Sequence, residues 1–190
     1  MVAFLRAGLA TIRSRAGFEI HRAMSDTLLR ELQQPEYLHV LLNPLPLYGL
    51  AIALFGLIAA TYLRSRGGQL AAFVLIFTST IAVWPVVYHG DQAYDRVLSM
   101  ADEPGQAWLK AHVHRADQLI WVFYTTAALA AAAIFVPKKW PRMATPLVLI
   151  TMLFAIVSLG AGTYIAHAGG KIRHREFRSA PPPTTSPEPR

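Results

Sequence analysis

Four stretches of the chain, residues 43–63, 69–90, 118–137 and 143–170, contain no Asp, Glu, Lys or Arg. A helix crosses the roughly 30 Å of bilayer hydrocarbon with about 20 predominantly apolar residues, and each stretch is long enough. A helix on a soluble core carries polar residues at short, regular intervals along its outer face, and none of the four does. With 54% hydrophobic and 15% charged residues among 190, and the apolar ones in blocks, the expected fold is all-α. It is a polytopic membrane protein, a four-helix transmembrane bundle with an N-terminal amphipathic surface helix.

Three regions follow: an amphipathic arm at 1–38, a transmembrane domain at 39–176 and a disordered tail at 177–190. In the arm, Leu5, Leu9, Ile12, Ala16, Ile20, Ala23, Met24 and Leu28 recur at three- and four-residue steps, while Arg6, Arg13, Arg15, Arg22 and Arg30 occupy other positions. That pattern suits a helix lying on a lipid surface, or an arm that docks a larger partner. The arm lacks the long apolar core of a cleavable signal peptide. The tail, rich in Pro, Ser and Thr, has too little apolar surface to fold.

The net charge of +7 would raise nucleic acid as a partner in a soluble protein. Here the basic residues flank the spans, where they meet lipid phosphates, so the partner expected is the lipid bilayer and not nucleic acid. The chain has no cysteine. That excludes disulfides, thiolate zinc sites, iron–sulfur clusters and covalent c-type haem attachment by this chain.

Between the spans, residues 64–68 and 137–142 read as tight basic turns. Residues 91–117 read as the longest connection. It holds a short amphipathic helix (Tyr94, Val97, Leu98, Ala101), a turn at 103–105 and a helix that starts at Gln106 and runs into the third span. Pro44 and Pro46 fall in the first turns of the first span, where a missing amide donor costs least. Pro85 should kink the second span within a turn of His89. Gly160 and Gly162 allow close packing or the approach of a ligand.

Four spans place both termini, and the 91–117 connection, on one side of the membrane. His39, His89, His112, His114, His167 and His174 then share that side. Orientation stays open: the larger number of basic residues on the termini side favours cytoplasmic termini, while the two short, purely basic turns favour the reverse. A rough internal repeat accompanies the pattern. One hairpin starts at His39 and ends at His89; the other starts at His112 or His114 and ends at His167. Two such hairpins packed together gather histidines from all four helices at one level. His112 and His114, two residues apart, point about 200° from each other on a helix, so one at most faces the bundle interior.

Neutral imidazole binds haem iron and other metals, and helix bundles build such sites between facing helices. The candidate cofactor ligands are therefore His39, His89, His112, His114 and His167, with haem b as the cofactor and Arg173 and Arg175 available to its propionates. A non-haem metal ion on His89, His112 and His167, with Asp91, Asp95, Asp102 or Glu103 adding oxygens, is the alternative; a third possibility is no cofactor. There is no HExxH motif, P-loop, dinucleotide fingerprint or Ser/His/Asp ordering. The spans hold no embedded charge that would carry ions.

The run Gly90-Asp-Gln-Ala-Tyr-Asp-Arg-Val, then Pro104-Gly105 and Ala111-His-Val-His-Arg-Ala-Asp117, resembles the central connection of the DUF2231-like family, small four-span bacterial membrane proteins of uncharacterised function. His39-x-x-x-Asn-Pro44 is similar to the family's opening, with Asn43 where a histidine often stands, and Ala168-Gly-Gly-Lys-Ile-Arg-His174 to its closing Gly-Gly motif. The resemblance covers about residues 39–176. It implies a multi-pass protein of the bacterial inner membrane and supports the layout more than the chemistry; the departure at Asn43 removes one possible ligand. The function expected is a b-type cytochrome-like electron-transfer subunit, a redox subunit more than an enzyme in its own right. It would exchange electrons with a quinone or a redox partner protein. The alternative is a cofactor-free structural or assembly subunit of a larger membrane complex.

Overall fold

The computed structural model describes Met24 and residues 27–182, and no strand occurs among them. Four helical rods are long and apolar enough to cross a membrane: Pro35–Tyr62, Arg66–Met100, Glu103–Lys139 and Pro141–Arg173. They pack as an all-α four-helix bundle. Most of the amphipathic arm, residues 1–23 with 25 and 26, and the tail from 183 onward lie outside the described residues. Helix α1 (Pro35–Leu42) begins four residues before His39, so the first rod starts inside the region assigned to the arm.

The bundle is built inside out. Only 22–44% of the most apolar window of each rod is buried within the protein. Ile52, Phe55, Leu75, Leu149, Leu153 and Ile156 all point outward. A water-soluble domain would hide such side chains, whereas lipid tails accept them. The interior is small and close. Leu50, Leu54, Leu57, Phe73, Ile76 and Val148 interlock around Ala53, Ala72, Ala130, Ala133 and Ala155. Inside, Thr126 and Ser158 face each other with their hydroxyls 2.8 Å apart, joining the third and fourth rods.

Prolines shape the first two rods. Pro44 and Pro46 have no amide hydrogen, and the first rod passes through a π-helical turn, Leu45–Gly49, before continuing as α2 (Leu50–Tyr62). They lie within a continuous rod rather than at its start. In the second rod, Pro85 cannot donate to the carbonyl of Ile81. There the rod divides at Ala82 into α3 (Arg66–Ile81) and α4 (Val83–Met100).

The first connection is the tight turn expected. Arg64 takes the left-handed conformation at φ 52°, Ser65 N–H returns to Ala60 O at 2.9 Å, and the Ser65 hydroxyl caps the second rod by accepting from Gly68 N–H. The 91–117 region is different from its sequence reading. α4 runs on to Met100, and α5 (Glu103–Lys139) starts after only Ala101 and Asp102. Glu103, Pro104 and Gly105 form the first turn of α5. Asp102 caps it, its Oδ1 accepting from Gly105 N–H at 3.1 Å. Both rods therefore outrun the bilayer: α5 alone, at 37 residues, is roughly 55 Å long at about 1.5 Å per residue. The final helix, α6 (Ala144–Arg173), is closed by Arg178, whose Nε and Nη2 donate to Lys171 O and Ile172 O at 2.7 and 2.6 Å. Its Nη1 pairs with Asp102 at 2.8 Å, which ties the end of the fourth rod to the start of the third.

Candidate functional site: a paired-histidine cavity

The start of the first rod, the end of the second, the start of the third and the end of the fourth meet at one end of the bundle. An ion pair between Glu36 and Arg96 closes the first hairpin there. Below it, His39 Nδ1 bonds Val86 O across the hairpin at 2.8 Å. The second hairpin repeats the device, with His112 Nδ1 bonding Ile165 O at 3.0 Å. In each case the ring rests on a glycine four residues beyond the accepting carbonyl. A Cβ added to Gly90 would lie 2.8 Å from His39 Nδ1, and one added to Gly169 would lie 3.1 Å from His112 Nδ1 and Cε1. Both are bare places on a helix face where an imidazole reaches the backbone.

These bonds fix the tautomer. A carbonyl oxygen only accepts, so each Nδ1 carries the hydrogen, and in the neutral ring each Nε2 keeps its lone pair. Neither Nε2 has a hydrogen-bond partner among the described residues. The two ring centroids are 6.2 Å apart and the ring planes stand at 88° to each other. Two imidazoles bound to opposite sides of one metal ion, with metal–nitrogen distances of about 2.0 Å, have centroids roughly 6 Å apart. Metal-binding histidines typically donate the other ring nitrogen to a carbonyl or carboxylate, and this pair has that arrangement.

Both rings line one cavity with Leu47, Val83, Val87, Ile120 and Phe123. Its volume is about 60 Å³, room for roughly four to six waters at about 10–15 Å³ each. The donor set thus fits a haem iron. The cavity does not fit a macrocycle as packed, and a planar ligand enters only if side chains such as Leu47, Val87 and Ile120 turn aside. Leu47 is the tightest of these: a Cβ at Gly162 would lie 2.6 Å from its Cδ1.

Of the five candidate cofactor ligands, the structure joins His39 and His112. His89 is half-buried, its Nδ1 sealed from solvent without a partner, and its ring lies edge-on to Tyr88 at 5.2 Å. His167 is exposed, edge-on to Trp108 at 6.4 Å. His114 is half-buried and has no hydrogen-bond partner among the described residues. No group of three or more His, Cys, Asp or Glu side chains among the described residues is placed to hold a metal ion, so His89, His112 and His167 do not form a three-ligand centre. Arg175 is held by Asp102 at 3.1 Å, and Arg173 reaches Met100 Sδ; neither is free for a propionate. Gly90 and Gly169 were missed as site residues. Their signal was present as one glycine near the end of each hairpin, opposite the histidine that opens it.

Comparison with known proteins gives no match among family models, curated proteins or solved structures.

Proposed function

We propose that the chain is a small multi-pass membrane subunit of the b-type cytochrome kind, in which His39 and His112 would hold one haem once the side chains lining their cavity turn aside. The observation that carries this is the shared state of the pair: both Nδ1–H groups held by backbone carbonyls, both Nε2 lone pairs unengaged, and both rings on one apolar cavity. Bound there, haem would supply one-electron transfer to and from a quinone or a redox protein. The chain's own part would be to orient the imidazoles through their Nδ1–H bonds and to line the site with apolar side chains. The layout and the short motifs that resemble the DUF2231-like family fit a protein of the bacterial inner membrane with both termini on one side.

The test is an absorption spectrum of the detergent-solubilised protein, oxidised and then dithionite-reduced, with a pyridine haemochrome count. Near-stoichiometric haem with sharp α and β bands, lost in His39→Ala or His112→Ala, supports the reading. A folded, colourless protein from a haem-replete host overturns it.

A second reading has its own observation, the small volume of the cavity. In it, each histidine is a clip that fastens one hairpin, and the chain is a cofactor-free structural or assembly subunit of a larger complex. Under that reading His39→Ala lowers stability and changes no spectrum.

A further inference from the structure

Lys171 is 5% exposed and is the one buried charged side chain among the described residues. A buried ammonium is costly unless something pairs with it. Lys171 has neither a carboxylate nor a hydrogen-bond acceptor for its Nζ among the described residues. Its Nζ lies over the ring of Trp108, 4.3 Å from the centroid. Trp108 is buried too, and its Nε1–H is sealed from solvent without an acceptor. Arg115 comes to the same ring at 6.0 Å and covers Tyr164 at 3.9 Å, with Nη1 donating to Tyr164 O at 2.9 Å. Two cations and an unsatisfied N–H therefore surround one indole. The nearby carboxylate of Asp102 is already held by Arg175 and Arg178. Lys171 keeps 5% of its surface and Trp108 Nε1–H is sealed, so an anion meets both once the side chains that cover the indole move aside.

We propose that Lys171, Trp108 and Arg115 form an oxyanion-binding site, taking a phosphate or a carboxylate. Lys171 is the ion-pair partner, Trp108 Nε1–H the hydrogen-bond donor and Arg115 the second cation. Trp108 precedes His112 by one helical turn, and Lys171 follows Gly169 by two residues. The site thus lies about 5.4 Å, one turn, beyond the histidine pair on the side of the chain termini. An anionic lipid headgroup reaches this level from the membrane. A carboxylate arm of a ligand in the histidine cavity reaches it from within, and that source alone rests on the haem reading.

Trp84, Trp121 and Trp140 are exposed, so replacing them by Phe leaves Trp108 as a single fluorescent reporter at the site. The solubilised protein is titrated with short-chain phosphatidylglycerol, short-chain phosphatidylcholine, inorganic phosphate, haem and haem dimethyl ester. A saturable change in Trp108 emission is expected with at least one anionic probe. Lys171→Gln should weaken it about tenfold or more, as loss of a charge-assisted contact does, and Lys171→Arg should restore most of it. Response to phosphatidylglycerol alone identifies a lipid, response to inorganic phosphate a free anion, and quenching by haem but not its ester a carboxylate. The proposal falls if no probe saturates, if phosphatidylcholine matches phosphatidylglycerol, or if a Lys171→Gln variant of unchanged helicity titrates like the parent. Haem that binds equally well as acid and ester, without a lipid or phosphate response, keeps the cytochrome reading and removes this one. A lipid response without haem binding does the reverse.

Discussion

Alanine in place of Gly90 and alanine in place of Gly160 should move stability in opposite directions. On propensity alone both substitutions help, by about 0.5–1 kcal/mol for a glycine in a helix interior. At Gly160 nothing lies within 4 Å of the new methyl group, so the gain stands. At Gly90 the methyl would meet His39 Nδ1 at 2.8 Å and Cε1 at 3.0 Å, inside contact distance. The ring must leave the helix face, and its bond to Val86 O is lost. That bond is worth about 1 kcal/mol, and forcing a methyl into a packed site costs about 1–3 kcal/mol more. Net of the propensity gain, Gly90→Ala should destabilise by about 2 kcal/mol. At roughly 2–4 °C per kcal/mol for a chain of this size, its melting point falls by roughly 4–8 °C, while Gly160→Ala rises by a few degrees. The assay is thermal unfolding of the detergent-solubilised protein, followed by intrinsic fluorescence and circular dichroism. A Gly90→Ala variant that melts at or above the parent would refute the clip geometry, because it would mean that the ring does not need the bare backbone.

Three further outcomes are expected. Replacing His89 and His167 together by Ala should leave any haem spectrum intact, whereas His39→Ala or His112→Ala alone should abolish it; absorption spectra of the three variants decide. Thr126→Val should destabilise by about 1 kcal/mol, and in a double-mutant cycle with Ser158→Ala the two should couple by a similar amount, since their hydroxyls bond each other; additive effects in SDS-induced unfolding would remove that bond from the account. The hydrogen bond from Arg178, with the Gly105 N–H and the charges of Arg178 and Arg175, holds the Asp102 carboxyl below its ordinary value of 3.8. A carboxylate depressed in the folded state contributes stability that is present above its unfolded pKa and lost as pH falls through the folded one. Melting points measured from pH 6 downward should therefore drop in the acid range more steeply for the parent than for Arg178→Gln; parallel curves would show that the clasp does not titrate.

The four rods were legible because lipid imposes a crude rule: no charge for about 20 residues. Their ends were less so. Asp91, Asp95 and Arg96 break the apolar run, and a reading based on charge ends the span there. The backbone ladder does not depend on hydropathy, and the apolar positions Tyr94, Val97 and Leu98 keep their helical spacing up to Met100, so a long connection becomes two residues. Histidines at one level, and the two-hairpin repeat, were also visible. The choice among them was not. His89 drew attention as the histidine that ends the first hairpin, but the facing ring needs the glycine beside it, Gly90, since only a missing side chain lets an imidazole reach the carbonyl one turn earlier. His112 and His114 could be separated only by seeing which of them faces Gly169. Lys171 was hidden for a different reason: a lysine beyond Gly-Gly reads as a solvated end until the packing of Trp108 against α6 covers it.

The π-helical turn at Leu45–Gly49 sets a phase. Each residue of an α-helix advances the chain about 100° around its axis, and a π turn accommodates one extra residue without lengthening the ladder in proportion. The stretch that carries His39 is therefore rotated, relative to α2, from where an uninterrupted α-helix would put it. Residues 44–47 act as an angular coupling between the buried face of α2 and the face that presents the imidazole. Removing one residue there would leave the core contacts of Leu50, Leu54 and Leu57 in register while turning His39 away from His112 by about 100°. A single-residue deletion, usually a blunt lesion in a packed helix, would here be a way of rotating one ring out of the cavity and leaving the rest of the bundle assembled.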